Sequence, residues 1–303
     1  MNQKNRCFKA VDTLYILMMV LPVIAGLIIK LLTKPASEGI TITGAQIFFE
    51  IPMPVQNLLI TESQVNSLFV LIMVFGLCLY LTHGIMGEKL MKRHLLAKWV
   101  VEKVEKMVVG NMGPYFKGFT SFVIAILALS GFSSLITLFG LFPPTSDVNI
   151  VAGWAVLVFI LITYYKFKCG PVQYIKGLAD PVALLPLNLI GEVATPVSMA
   201  FRHYGNVLSG SVISVLVATG LQGLSKLVLG FLPGFLGEFP FLQIGLPAVL
   251  SVYFDVFSGC LQAYIFAMLT MLYVSGGFPL ELYEERKRKK QQKRLMAKTN
   301  GGN

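Results

Sequence analysis

Arg202 is the first residue that asks for an account. It lies near the middle of an apolar stretch, Val182–Gly230, whose only other charges are Glu192 and Lys226. An arginine at membrane depth costs about 2.5–3.5 kcal/mol on insertion scales, and unlike lysine it cannot shed its proton. A permanent cation there needs a partner or a task. In helical register its face continues through Glu192, Thr195 and Ser198 before it, and Asn206 and Ser209 after it. A second apolar stretch, Phe241–Val274, carries its own stripe of Ser251, Asp255, Ser258 and Gln262. The seven-residue step from Asp255 to Gln262 places both on one α-helical face. Two such stripes facing each other describe a hydrated cation path or a buried hydrogen-bond network. The plainer alternative is an Arg–Asp or Arg–Glu pair that only aligns helices, with Asp255 serving Arg202 or Lys226.

Other chemistries find little support. His83 and His94 form no H-E-x-x-H, and the chain has no G-x-S-x-G, no Walker lysine loop and no C-x-x-C. Cys7, Cys78, Cys169 and Cys260 share no metal-ligand spacing and read as packing residues or free thiols. No catalytic centre, cofactor or metal is expected. His203, beside Arg202 but on another helical face, reads as a packed residue, and Gly205 and Gly210 read as close-packing positions.

The elements that must position these side chains are set by composition. Of 303 residues, 55% are hydrophobic and 13% charged, about half the charge of an ordinary soluble domain. That excludes a disordered chain and nearly every soluble fold, and leaves an all-α integral membrane protein. Four runs match the roughly 20 residues a bilayer needs: Thr13–Ile29, Ser67–Thr82 with its flanks, Phe119–Phe142 and Ile150–Tyr165. The first reads as a retained helix and not as a signal peptide, since it is long and no A-x-A site follows. Val182–Gly230 and Phe241–Val274 would run about 73 and 51 Å as helices, against a hydrocarbon core of about 30 Å. With the break at Gly230-Phe-Leu-Pro-Gly234, they predict a long, steeply tilted helical hairpin, 182–276.

Orientation follows from the basic residues. Lys89, Lys92, Arg93, Lys98, Lys103, Lys106 and Lys117 crowd one loop, whereas Pro35–Asn66 carries Glu38, Glu50 and Glu62 and no Lys or Arg. Lys166, Lys168 and Lys176 follow the fourth span, and Arg286–Lys290 opens a basic tail, 281–303. Placing all of them inside puts both termini in the cytoplasm, with Pro35–Asn66 and Pro143–Asn149 outside. The net charge of +10 thus reads as lipid headgroup attraction and topology, not as a nucleic-acid site. Met91, Leu95, Trp99, Val104 and Val108 recur at near-helical spacing in the basic loop. That helix either lies on the inner leaflet or is a solvated connection. Thr145, Ser146 and Asp147 suit the cap of the following helix. The chain divides into 1–66, an added span and outer loop, and 67–303.

Three motifs resemble those of subunit a of F-type ATP synthase. Pro196-Val-Ser-Met-Ala-Phe-Arg202-His-Tyr-Gly-Asn206 is similar to its PVSLxxRLFGN signature. Leu261-Gln262-Ala-Tyr-Ile-Phe-Ala-Met-Leu-Thr-Met-Leu-Tyr273 resembles LQAFIFxxLTxxY, and Pro144-Thr-Ser-Asp147-Val-Asn149 resembles PTSDVN. The motifs stand in family order, and the resemblance covers roughly Gln64–Gly276. Three places depart from it. Ala128-Leu-Ser-Gly-Phe-Ser-Ser134 lacks the family's asparagine-containing N-L-x-G-L-x-P, Ser211 stands where many relatives carry an acid or histidine, and Asp255 where they often carry histidine or glutamate.

The resemblance implies a non-catalytic stator with two half-channels for H⁺ or Na⁺, held against a rotating c-ring. Its partners are that ring, the peripheral-stalk b subunits and the rest of the complex, in the bilayer of a bacterial cytoplasmic membrane. Arg202 corresponds to the family's essential arginine, and Asn206 and Gln262 to the polar residues that orient it. The outer path then draws on Asp255, with Glu192 or Asp147 as further acids and Ser211, Ser251 and Ser258 as lining. A secondary transporter with a mid-membrane Arg/Asp site is the alternative. It requires an inverted repeat of the Val182–Gly230 pattern, and the first half of the chain contains none.

Overall fold

A computed structural model describes residues 2–33, 45–54, 57–85, 91–171, 174, 178, 182–229, 242–278, 283–285, 288 and 292. The turn at Gly230–Gly234, Lys89, Lys176 and most of the basic tail lie outside the described residues. The helices are α1 (Asn2–Thr33), α2 (Glu62–Thr82), α3 (Lys92–Met112), α4 (Thr120–Leu135), α5 (Val148–Cys169), α6 (Leu185–Leu229), α7 (Leu242–Ser251) and α8 (Gly259–Gly276). Six helices are long and apolar enough to cross a membrane. The architecture is that of an all-α, multi-pass membrane protein.

The apolar runs account for these elements directly. Every backbone N–H and C=O in hydrocarbon must be bonded within its own segment, and only a helix does that for a single span. The same requirement carries α6 through Pro196 and five glycines as one 45-residue helix, about 68 Å long. A rod of that length fits a bilayer only when steeply inclined. It does not fold back. Its partner runs antiparallel: Gly210 meets Phe254, and Asn206 bonds Ser258, so each step forward on α6 is a step back opposite.

Two elements differ from the sequence expectation. Between α7 and α8 the chain does not continue as α-helix but widens into a seven-residue π-helix, Val252–Ser258. In the outer-loop sequence an antiparallel hairpin forms from β1 (Ile47–Ile51) and β2 (Leu58–Thr61), with Glu50 opposite Leu59.

The bundle has two chemically distinct ends. At one, Asp147 caps α5, Ser63 of α2 bonds Asp147, Asn66 bonds the Phe142 carbonyl, and Lys30 of α1 reaches the Gly140 carbonyl. At the other, Arg93 of α3 pairs with Asp12 of α1 at 2.8 Å, and His83 after α2 bonds the same carboxylate. Lys166 and Lys168 close α5 at this second end. The described basic segments of α3 and α5 therefore share one end, as the charge pattern requires.

The main core also lies toward that end: Val108 and Met112 of α3, Phe119 and Val123 around α4, Val158 and Ile162 of α5, and Phe266 and Met271 of α8. From α6 only Met199 joins it. The apolar stripe of α3 splits accordingly. Val104 and Val108 pack into the core, whereas Met91, Leu95 and Trp99 remain exposed.

Close helix contact depends on glycine at α8. A Cβ on Gly259 would come within 2.5 Å of Ser134 Cβ and 2.9 Å of its hydroxyl. Gly259→Ala is therefore expected to destabilise the α4–α8 contact by about 1–3 kcal/mol. Ser134→Gly in the same chain should restore it. Thermal melting of the detergent-purified protein checks this, and an unchanged midpoint in Gly259→Ala contradicts it.

Candidate functional site

Arg202 and His203 point about 100° apart on α6, one outward and one into the bundle. His203 is fully buried, its ring edge-on to Trp154 and Phe266 at 5.9 and 5.6 Å, with Nε2 3.4 Å from Ser130 Oγ. Arg202 is exposed, and among the described residues it has no ion-pair partner. Both carboxylates offered as partners by the sequence are engaged elsewhere. Glu192 pairs with Lys166, and Asp255 accepts from Ser251. Among the described residues no Arg–Asp or Arg–Glu pair forms at Arg202, which faces outward with Ser198 and Ser209, both exposed on the same side of the helix.

Next to it in register, Asn206 ties α6 to the π-helix. Its side-chain oxygen accepts from Ser258 Oγ at 2.7 Å, and its amide donates to the Ser258 carbonyl at 3.5 Å. Asn206 also lines a small cavity of about 20 Å³ with Asp255, Ser134, Thr137, Pro143 and Gly210. A space of that size holds about one water, and a water needs two to four polar partners. Asp255, Asn206, Ser134 and Thr137 supply them. Pro143 leads into the short helical turn before Asp147, so the cavity lies toward the Asp147 end.

Asp147 accepts from the Asn149 backbone at 2.9 Å and from Ser63 at 2.5 Å. It is a helix cap, as expected, and also a carboxylate held by two hydroxyl-bearing residues of another element, since Thr61 reaches it at 3.4 Å. Gln262 is 6% exposed and does not line the Asp255 cavity. The shared face inferred from the seven-residue spacing assumed an unbroken α-helix, but Asp255 lies within the π-turn and Gln262 in the α-helix after it. Ser211 is exposed and donates to the Leu208 carbonyl at 2.8 Å, outside that cavity. Gly210 is close-packed, its Cβ position 3.1 Å from Phe254, whereas a Cβ on Gly205 would meet open space.

Glu192 requires the largest revision. It lies away from Asp147, at the Lys166 end, ten residues and about 15 Å along α6 from Arg202. There it lines a separate cavity of about 610 Å³ with Lys166, Tyr174, Asn188 and Thr195. Lys166 Nζ lies 2.5 Å from Glu192 Oε1, and the Tyr174 hydroxyl donates to Oε2. Burial, and then the adjacent Glu192 carboxylate, push the Tyr174 hydroxyl up to about 12, so it remains a donor throughout the physiological range. Sequence reasoning read Lys166 only as a topology marker and passed over Tyr174. Their distance from Glu192 along the chain hides the contact, and no spacing rule connects them.

The site therefore comprises an outward arginine, unpaired among the described residues, and two cavities that carry polar side chains. One opens toward the Asp147 end and the other toward the Lys166 end, on either side of Arg202 along α6. Comparison with known proteins adds to this. A family model described as "ATP synthase A chain" matches residues 64–275. "ATP synthase subunit a, sodium ion specific" of Propionigenium modestum is 33% identical over 160 residues, covering 51% of this chain and 48% of that protein. "ATP synthase subunit a" of Desulforamulus reducens is 38% identical over 144 residues, covering 46% and 50%. That of Alkalihalophilus pseudofirmus is 31% identical over 194 residues, covering 59% and 75%. The aligned region thus spans about half the length of the first two relatives. Helix α1 and the β-hairpin fall outside the matched residues.

Proposed function

This chain belongs to the ATP synthase A chain family, and on that premise we propose that it is the non-catalytic stator that carries H⁺ or Na⁺ to and from a rotating c-ring. The observation that carries the proposal is Arg202, unpaired among the described residues, on the outward face of a steeply inclined helix. A fixed cation there meets each ring carboxylate as it passes and favours its ionised form, so the bound ion is released. The same charge repels an ion that would cross directly from one cavity to the other. Each ion moved contributes about 2.3 kcal/mol per 100 mV, so several per turn supply the work of making ATP.

The cavity of Asp255, with Ser251, Ser258 and Asn206 around it and Asp147 beyond, serves as the outer half-channel. The Glu192 cavity serves as the inner one. Asn206, bonded to Ser258 across the hairpin, and the buried Gln262 hold the hairpin in register; Ser211, nine residues on and so about half a turn round α6 from Arg202, is a further exposed lining position of the outer path. Both termini are cytoplasmic, the membrane is the bacterial cytoplasmic membrane, and the peripheral-stalk b subunits hold the stator still. Residues 1–66 form an added unit on the 67–303 domain, whose channel hairpin is 182–276 and whose basic tail is 281–303.

Disulfide trapping tests the ring-facing assignment. Cysteine at Ser198 or Ser209 should cross-link to a cysteine beside the ring carboxylate, whereas cysteine at the buried Met199 should not. Oxidation should then stop ATP-driven ion uptake in inverted vesicles, and reduction should restore it. Uptake that continues through the cross-link, or no cross-link at either position, counts against the proposal.

A further inference from the structure

Lys166 is placed with more care than a topology marker needs. Its stem lies against Gly277, where a Cβ would meet Lys166 Cγ at 3.0 Å and Cε at 3.1 Å, so any side chain there would press on the lysine. The Tyr174 ring lies 5.5 Å from its ammonium. The ammonium is 2.5 Å from Glu192 Oε1, and Tyr174 occupies Oε2. Three elements thus fix one cation onto Glu192, the one acid among the described residues that line the 610 Å³ cavity. Being in the last turn of α5, Lys166 also complements that helix's dipole, a purely structural role that the lysine would fill without Glu192.

We propose that Lys166 is a positioning residue that sets the charge of the inner vestibule, holding Glu192 neutralised so that the vestibule draws in cations only weakly. This rests on the stator reading given above. A carboxylate with both oxygens engaged, one by a fixed ammonium, presents no net charge to an approaching cation. Without Lys166 the vestibule is anionic and captures cations from the cytoplasmic side more readily. Without Glu192 it is cationic and repels them. Neither change alters the driving force. Each alters the cytoplasmic ion concentration at which ATP-driven pumping half-saturates, because capture from that side is the step the charge acts upon.

Inverted vesicles bearing the assembled complex expose this face to the bath. ATP-driven uptake is measured while bath sodium is varied at fixed pH, and again while pH is varied at fixed sodium. Lys166→Met should lower the half-saturating ion concentration about three- to tenfold, and Glu192→Gln should raise it by a similar factor, as expected for a unit charge in a partly screened cavity. The double variant should return to within about twofold of the parent, and Lys166→Arg should not shift it. A charge-swapped Lys166→Glu, Glu192→Lys chain covers the case in which a single variant assembles poorly, and should also stay near the parent. Shifts in the same direction, no shift, or a double variant worse than either single overturn the proposal. A lysine that only caps α5 gives lower complex yield with unchanged half-saturation. Arg202→Ala vesicles run alongside separate the two readings. Uptake that survives there removes the stator assignment itself, whereas lost uptake with unshifted Lys166 and Glu192 variants removes only the charge-setting role.

Discussion

Replacing Arg202 by Ala is expected to abolish ATP-driven ion uptake and ATP synthesis while the complex remains assembled. The side chain is exposed and, among the described residues, unpaired, so truncating it breaks no internal contact and should leave the subunit's abundance unchanged. What is lost is the fixed charge that empties the ring carboxylate. A loss of at least about a hundredfold, roughly 2.7 kcal/mol, is well within the interaction of two unit charges in a partly desolvated site. Arg202→Lys should recover little, because an ammonium in an apolar site can lose its proton and lacks the planar fork of the guanidinium. The measurement is ATP-driven uptake in inverted vesicles, followed with a pH-sensitive dye and with sodium tracer, beside an immunoblot for the assembled complex. Parental uptake in Arg202→Ala vesicles would sink the assignment of Arg202.

The parts of this fold legible in the sequence are those governed by the bilayer alone. Long apolar runs become helices because hydrocarbon offers no other partner for the backbone, and the excess length of Val182–Gly230 translates into the inclined, unbroken α6. The basic stretches of α3 and α5 sort to one end for an equally simple reason, and Lys166 lies at the same end as Arg93. Features that depend on two segments meeting were not legible. The π-helix at Val252–Ser258 changes which residues share a face, and no residue in it differs in kind from its α-helical neighbours. Glu192 reads as part of Arg202's stripe until Lys166 and Tyr174 are seen beside it. The serines that stand in the segment lacking the family's asparagine and proline look like a weakened motif. In three dimensions Ser134 lines the Asp255 cavity, and Ser130 faces His203. A departure from a familiar pattern thus became interpretable only once its neighbours on other helices were known.

Asp255→Asn is expected to slow ATP synthesis and ATP-driven pumping alike, by about tenfold or more, without uncoupling the activity that remains. Both directions suffer because the outer half-channel is traversed in each. Coupling survives because Arg202, which blocks the direct path, is untouched. Asp255 is suited to this role by its surroundings. It is half-buried in the π-helix, holds Ser251 as a hydroxyl donor, and shares a one-water cavity with Asn206, Ser134 and Thr137. Among the described residues no Lys or Arg pairs with it, so a purely structural ion-pair role has no partner here. Asn keeps the size and one acceptor but removes the charge that attracts a cation toward the ring, and Asp255→Glu should retain part of the activity. The same geometry decides where a second acid can substitute. Thr137 lines the Asp255 cavity, whereas Ser211 is exposed outside it. Thr137→Asp should therefore rescue the Asp255→Asn chain more than Ser211→Glu does, although many relatives carry an acid at the latter position. Synthesis rates and passive ion conductance of the stripped membranes, measured across pH and sodium concentration, provide the check. Full synthesis in Asp255→Asn would mean that the outer path bypasses this cavity, and rescue by Ser211→Glu alone would mean that it runs along the exposed face of α6 that carries Ser211.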